Sequence, residues 1–427
     1  MILKGKKAAY ITLGCKLNFS ETSTIKHSLE EADVITVGEK EKADIFVINT
    51  CSVTDIAEHK GRQFIRKIIH RNPDAYIVVV GCYAQLRAKE ILEIEGVNLV
   101  LGASEKFKVR QHLENYETTV ERESHSCDIF KLSDFDLAYS FGDRTRCFLK
   151  IQDGCDYFCT YCTIPFARGK SRSASIGQIV QAVKAVASKG IKEVILTGVN
   201  TGDFGKDSSE SFIKLLSALD KTTEMERFRI SSIEPNLLTD EILQFVASSG
   251  RFMPHFHLPL QSGNNEVLQL MKRRYNRELF AEKINKIRQY RPDAFIGVDV
   301  IAGMRGETEQ HFEDAYRFIE GLDISQLHVF PYSERAGTKA LEIPHIVSSQ
   351  EKHRRVNLLL RISETKLNQF YHRFIGQTRP VLWEDNQVNG MICGFTDNYI
   401  RVESPYRAEW KNQILPLTLK AEVFRKE

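Results

Sequence analysis

Nowhere in the 427 residues does an apolar run approach the roughly 18 residues that a membrane-spanning helix needs. The first seven residues lack both a long apolar segment and a small-residue cleavage site, so they do not read as a secretory signal. The chain is therefore expected in the cytoplasm with no membrane partner. An excess of one charge is missing too: 59 Lys and Arg against 56 Asp and Glu leave a net +3, which by itself selects no class of partner. Cysteine is sparse. Nine in a chain of this length cannot make a disulfide framework, and in a reducing compartment they point to metal or redox chemistry. What the chain has is core: 42% apolar residues suffice for about three domains.

The cysteines are unevenly placed. Cys155, Cys159 and Cys162 form a C-x3-C-x2-C run just after the apolar segment 147–151. Three thiolates on one loop hold three corners of a four-iron cluster and leave the fourth iron without a protein ligand. Structural zinc, which takes four protein ligands often supplied as C-x2-C pairs, is the alternative, but no second pair lies nearby. Unrelated buried cysteines are the other. Cys127, Cys147 and Cys393 follow no pattern and read as small hydrophobes.

Upstream, residues 8–13, 44–49 and 76–80 read as short buried strands, with helical stretches at 20–31 and 57–70 between them and a fourth strand near 99–102. Strands alternating with helices imply a parallel sheet. Just past the first three strands stand Gly14-Cys15, Thr50-Cys51 and Gly81-Cys82. Residues beyond the strand ends of an open parallel sheet share one edge, where ligands gather, so Cys15, Cys51 and Cys82 are expected to converge on a second metal site. It again has three thiolates; a fourth from Cys127 or Cys147 stays open.

Residues 115–145 are polar and aperiodic and read as a connection. From 146 onward, strand-like runs at 147–152, 192–198, 227–232, 255–260, 295–301 and 325–330 alternate with helical patterns, six βα units that suggest a partial barrel. The loops after them, at 197–200, 231–236, 260–265 and 303–308, combine small residues with hydrogen-bonding side chains and suit a polar small molecule. A basic helical stretch follows. The tail then changes to short strands with Gly and Asn turns, as in a small antiparallel β-barrel that presents basic and aromatic residues to nucleic acid, with Trp383, Tyr399, Arg401 and Arg407 as candidates; core packing is the equal alternative for most of the aromatics. Basic spots at 168–172, 272–277 and 351–380 are a further possible footprint for a phosphate backbone. The expected division is an α/β chain with an N-terminal parallel domain (1–114), the connection (115–145), the partial barrel with its following helix (146–375) and the tail domain (376–427).

The C-x3-C-x2-C run, with Tyr161 before its last cysteine, resembles the radical S-adenosylmethionine enzymes, and the whole chain resembles their methylthiotransferase family, whose tail is a TRAM domain. Thr12-Leu13-Gly14-Cys15-Lys16-Leu17-Asn18, Asn49-Thr50-Cys51-Ser52-Val53-Thr54 and 164–173 look most like the branch that modifies threonylcarbamoyladenosine in tRNA. The isopentenyladenosine branch usually has Gln after the first cysteine, and the ribosomal-protein branch has Gly-Phe after the second. One departure is Gly303-Met304-Arg305-Gly306-Glu307-Thr308, where the family commonly has Pro at the position of Arg305.

The resemblance implies two four-iron, four-sulfur clusters and S-adenosylmethionine. The cluster on Cys155, Cys159 and Cys162 would bind S-adenosylmethionine and generate the radical that removes hydrogen from adenine carbon 2, a C–H bond beyond acid–base side chains. The cluster on Cys15, Cys51 and Cys82 would hold the sulfur that is methylated and inserted. Tyr161, Thr197, Gly198, Asn200, Ser232, Glu234 and Gln261 are the implied S-adenosylmethionine contacts. Partners would be a tRNA anticodon loop, whose unstacked bases can be splayed out, an electron donor such as a flavodoxin or ferredoxin, and the sulfur and iron–sulfur assembly systems. Competing expectations are the isopentenyladenosine or ribosomal-protein reactions, or an RNA-binding iron–sulfur redox protein without turnover.

Overall fold

A computed structural model describes residues 1–115, 122–142 and 144–425. Six strands, β1 (Lys7–Thr12), β2 (Ile35–Thr36), β3 (Ile45–Thr50), β4 (Tyr76–Gly81), β5 (Leu99–Leu101) and β6 (Glu123–His125), form a parallel sheet in the order β2-β1-β3-β4-β5-β6. Every residue of β3 and β4 is buried, which is why residues 45–48 and 77–80 are continuous apolar runs rather than alternating ones. Helices α1 (Lys16–Glu30), α2 (Asp55–Arg71) and α3 (Cys82–Leu86) each start just past a strand. The register pairs Thr12 with Asn49 and Thr50 with Gly81, so the three strands end level and their loops emerge at one edge.

The connecting stretch is more structured than its composition suggests. Residues 116–121 and 143 lie outside the described residues, but β6 extends the first sheet, and β7 (Ala138–Tyr139) runs antiparallel to β8 (Cys147–Lys150), the first barrel strand. Pairing here is set by backbone hydrogen bonds to partners distant in sequence, which a polar, aperiodic stretch does not advertise. After β8, the short pair β9 (Gln152–Asp153) and β10 (Arg172–Ser173) brackets the cysteine loop.

The barrel strands continue with β11 (Glu193–Thr197), β12 (Arg227–Ile230), β13 (His255–Gln261), β14 (Phe295–Ala302) and β15 (Gln326–Pro331). Strands β8, β11 and β12 pair in parallel, as do β13, β14 and β15, and the parallel bridges Phe228–Phe252 and Ser232–His257 join the two halves into one open barrel of six strands. One hydrophobic core unites all six strands with the surrounding helices. Their cap residues follow local sequence: Ser175, Thr239, Asn276 and Thr308 each accept a backbone N–H of the first turn.

The N-terminal domain is fastened to the barrel by charge. Glu21 of α1, fully buried, meets Lys106 at 2.6 Å, Arg168 at 2.9 Å and Lys150 at 3.4 Å, while Arg168 also reaches Asp153 at 3.0 Å. Farther along, Arg335 donates to Ser52 at 2.9 Å and pairs with Glu58, tying the loop after Cys51 to the loop after β15.

The tail forms β16 (Thr378–Val388), β17 (Met391–Thr396), β18 (Arg401–Pro405) and β19 (Ile414–Thr418), an antiparallel half-barrel in the order β18-β17-β16-β19. It docks at the starting ends of the barrel strands: Arg229 donates to the carbonyls of Thr396 and Asp397 at 2.9 and 2.8 Å, Arg379 pairs with Asp293 at 2.8 Å, and Tyr399 lies 4.5 Å from the His255 ring. Of the two aromatics expected at an RNA-facing surface, Trp383 is thereby a core residue and Tyr399 is partly buried against the barrel. Trp383 is 1% exposed and packs on Trp410, and Tyr399 seats against the barrel. Arg407 stays exposed, over the Trp410 ring. No helix of the described residues is long and apolar enough to cross a membrane.

Candidate functional site

The C-x3-C-x2-C loop leaves β9 through Gly154, whose φ of +73° and contact with the Lys170 carbonyl leave no room for a side chain. The backbone N–H of Cys155 then donates to the Gly169 carbonyl at 3.0 Å. Across the cavity, Gly14 (φ +111°) precedes Cys15, the N-cap of α1. A Cβ at Gly14 would stand 2.6 Å from the Cys51 Cβ and 2.9 Å from its Sγ, so the close approach of the Cys15 and Cys51 loops requires glycine.

A cavity of about 560 Å³ lies between the two loops. Cys15 lines it from the N-terminal domain, and Cys155, Cys159 and Cys162 line it from the barrel. Cys51 and Cys82 are buried, and the charge coupling among Cys15, Cys51 and Cys82 places them together. Tyr161, Thr197, Gly198, Asn200, Ser232, Glu234 and Gln261 line the same cavity. Strand ends from both domains thus converge as the topology required. Cys127, Cys147 and Cys393 do not line it; Cys147 and Cys393 are buried elsewhere.

The donor set suits clusters rather than single ions. Among the described residues, the one set of His, Cys, Asp and Glu ligand atoms lying within 4.8 Å of one another is His257, Asp299 and His328. Neither cysteine triad is so tight, whereas tetrahedral zinc draws its sulfurs to about 3.8 Å apart. Burial pushes the thiols of Cys51, Cys155 and Cys162 up to about 12 and raises those of Cys82 and Cys159. Buried thiols of this kind ionise when a metal takes the proton's place, so metal loading would release protons. Arg168 opposes the rise at Cys82, and Arg273 opposes it at Cys159.

The pocket beside the barrel loop is partly satisfied and partly open. Thr197 Oγ1 donates to the Leu149 carbonyl at 3.0 Å. The Asn200 backbone N–H donates to Gln152 Oε1 at 2.9 Å, while its side-chain Nδ2 is buried without a partner. A buried amide nitrogen left unpaired costs stability unless a ligand accepts from it, and Asn200 lines the cavity, beside the Asp203 carboxyl. Glu234, raised above the ordinary carboxylate range by burial despite Arg273, pairs with that arginine. Gln261 ends β13 in the left-handed region, φ +64°, which turns the chain along the cavity wall.

Three residues take places in the site that their sequence context did not announce. Arg273, expected in a basic patch for phosphate, turns inward instead: NH1 donates to Cys159 Sγ at 3.1 Å and lies 3.5 Å from the Tyr161 hydroxyl. Arg168 likewise faces the N-terminal domain rather than solvent, because buried Glu21 and Asp153 need its charge. His257 is hydrogen-bonded to Asp299 at 2.7 Å on the barrel's inner face. Only the alternation of β13 and β14, which sends every second residue inward, hinted at this last pair. Arg305, where the loop departs from the usual wording, is tied down by Glu334 at 2.7 Å and the Leu341 carbonyl at 2.7 Å.

Residues 149–319 match the Radical SAM superfamily, and residues 7–102 match the family described as uncharacterized protein family UPF0004. The chain is 38% identical to the threonylcarbamoyladenosine tRNA methylthiotransferase MtaB of Bacillus subtilis, covering 92% of this chain and 89% of that protein. Identity to the protein of the same name from Aquifex aeolicus is also 38%, over 93% of this chain and 96% of that one. The tRNA-2-methylthio-N(6)-dimethylallyladenosine synthase of Ehrlichia canis is 29% identical over 97% of each. Among solved structures, the radical S-adenosylmethionine methyltransferase TsrM of Kitasatospora setae superposes with a TM-score of 0.59 at 13% identity, over 76% of this chain and 73% of that one, a likeness of fold.

Proposed function

Because the chain belongs to the methylthiotransferase family of the radical S-adenosylmethionine superfamily, we propose that it converts N6-threonylcarbamoyladenosine near the tRNA anticodon to its 2-methylthio derivative. The observation that carries this reading is one cavity lined by Cys155, Cys159 and Cys162 from the barrel and by Cys15 from the N-terminal domain, with Cys51 and Cys82 buried behind it. A radical generator and a sulfur source are of use together only if one adenine reaches both. Cys155, Cys159 and Cys162 would hold one four-iron cluster, and Cys15, Cys51 and Cys82 the other. When bound, these clusters and S-adenosylmethionine supply hydrogen abstraction, sulfur and a methyl group, chemistry that no side chain here offers.

The chain's own residues do the positioning. Asn200 Nδ2, Thr197, Gly198, Ser232, Gln261 and Tyr161 shape the S-adenosylmethionine pocket, and Arg273 holds Glu234 and Cys159 in place. For the RNA, a groove of about 550 Å³ lined by Phe19, Arg144, Arg146, Glu384, Phe395 and Arg401 runs between the tail sheet and α1; Glu384 pairs with Arg146 at 3.2 Å, and Arg144 and Arg401 leave the positive charge that a phosphate backbone needs. We place the reaction in the cytoplasm, with a one-electron donor such as a flavodoxin or ferredoxin and with sulfur and iron–sulfur assembly systems as partners.

The test is anaerobic reconstitution followed by mass spectrometry of tRNA nucleosides. Wild-type enzyme with S-adenosylmethionine and dithionite should give 5'-deoxyadenosine and 2-methylthio-N6-threonylcarbamoyladenosine. Replacing Cys15, Cys51 and Cys82 together by Ala should preserve the first product and abolish the second. An unchanged threonylcarbamoyladenosine pool with wild-type enzyme defeats the reading, and methylthiolation of isopentenyladenosine instead would assign the chain to that reaction.

A further inference from the structure

The charges that line the cavity are matched to one another, with one exception. Arg168 is paired with Glu21 and Asp153, and Arg273 with Glu234. Asp299 accepts from His257 at 2.7 Å. Lys16 is left over. It lines the cavity as the first residue of α1, it is exposed, and among the described residues it has no hydrogen bond and no ion pair. Its charge is felt at His255 and Tyr399. An ammonium held over a cavity that also presents apolar wall from Leu17, Val53, Ile164 and Val199 is a ready counter-charge for an anionic ligand.

The substrates in the relatives' names differ at just such a group: a threonylcarbamoyl substituent ends in a carboxylate, and a dimethylallyl substituent carries no charge. We propose that Lys16 is a specificity-determining residue that binds the threonyl carboxylate of the substrate base. This rests on the threonylcarbamoyladenosine reading above. Because Lys16 directly follows Cys15, the same contact sets the modified base beside the N-terminal cysteine site, and it favours the acid over uncharged N6 substituents. A charge-assisted hydrogen bond in a partly desolvated cavity supports a discrimination of roughly 10- to 100-fold.

The test uses anticodon stem-loops bearing N6-threonylcarbamoyladenosine or its methyl ester, with wild-type, Lys16→Gln and Lys16→Arg enzymes reconstituted to equal iron content. Equilibrium binding is read by anaerobic fluorescence titration, and product by mass spectrometry. Wild type should bind the acid at least about 10-fold more tightly than the ester. Lys16→Gln should erase the difference by weakening the acid alone, and Lys16→Arg should restore most of it. A loss in Lys16→Gln shared equally by acid and ester, an undiminished preference for the acid, or a loss confined to S-adenosylmethionine binding overturns the assignment. Wild-type enzyme that leaves the acid stem-loop unmodified overturns the substrate reading and this assignment together.

Discussion

Replacing Glu21 by Gln tests whether the charge cluster between α1 and the barrel holds the two domains together. The carboxylate is fully buried and answers three cations, Lys106 at 2.6 Å, Arg168 at 2.9 Å and Lys150 at 3.4 Å, with Asp153 as the second anion. Two routes give the size of the effect. Burial by itself would raise the Glu21 carboxyl, but Arg168, Lys106 and Lys150 outweigh it and hold the group at about 2, against 4.5 in the unfolded chain. That depression corresponds to about 3 kcal/mol at neutral pH. Independently, removing one partner from a buried ion cluster costs about 3–5 kcal/mol, because the charges left behind are uncompensated. The sign follows from the lowered value: the contribution is complete above pH 4.5 and fades as pH falls toward 2. At pH 7 the Glu21→Gln holoenzyme should therefore unfold in urea with about 3 kcal/mol less stability. Glu114→Gln, which breaks the exposed Arg110–Glu114 pair on the same domain, should change little. A Glu21→Gln variant within about 1 kcal/mol of wild type would refute the idea that this cluster is a net fastening rather than a neutral exchange of solvation for pairing.

Other consequences can be checked on the same preparations. Gly14→Ala would press a methyl group onto the Cys51 Sγ from a left-handed backbone, so iron should fall from about eight to about four per chain while S-adenosylmethionine cleavage persists. Asn200→Ala removes the unpaired amide, and titration calorimetry should show S-adenosylmethionine binding weakened by about 10-fold with thermal stability unchanged. In Arg273→Met the guanidinium that donates to Cys159 is lost. The midpoint potential of that cluster, followed by electron paramagnetic resonance, should become more negative; an unchanged potential would confine Arg273 to pairing with Glu234.

Much of the architecture is legible along the chain because short-range physics writes it there. Continuous apolar runs mark β3 and β4, and the turn residues after each strand place Cys15, Cys51 and Cys82 at one edge of a parallel sheet. The C-x3-C-x2-C spacing puts three thiolates on one loop without help from the rest of the fold. Direction is what the chain cannot write. Arg168 and Arg273 look like surface charge in sequence, yet Glu21, Asp153, Glu234 and Cys159 draw them inside, and those partners stand up to 147 residues away. Trp383 and Tyr399 have the composition of a nucleic-acid platform, but Trp383 is core and Tyr399 packs partly buried against His255, because the barrel's strand starts need covering. The sequence by itself determined most strands and helices outside the 115–145 connection and the grouping of six cysteines into two sets, since these depend on spacing and periodicity, and the class of chemistry followed from the resemblance its motifs carry. The tertiary structure alone decided that Cys15 faces Cys155, Cys159 and Cys162 across one cavity and that Lys16 lines it without an ion pair among the described residues, since pairing of charges across domains is fixed only when distant segments are brought within a few ångströms.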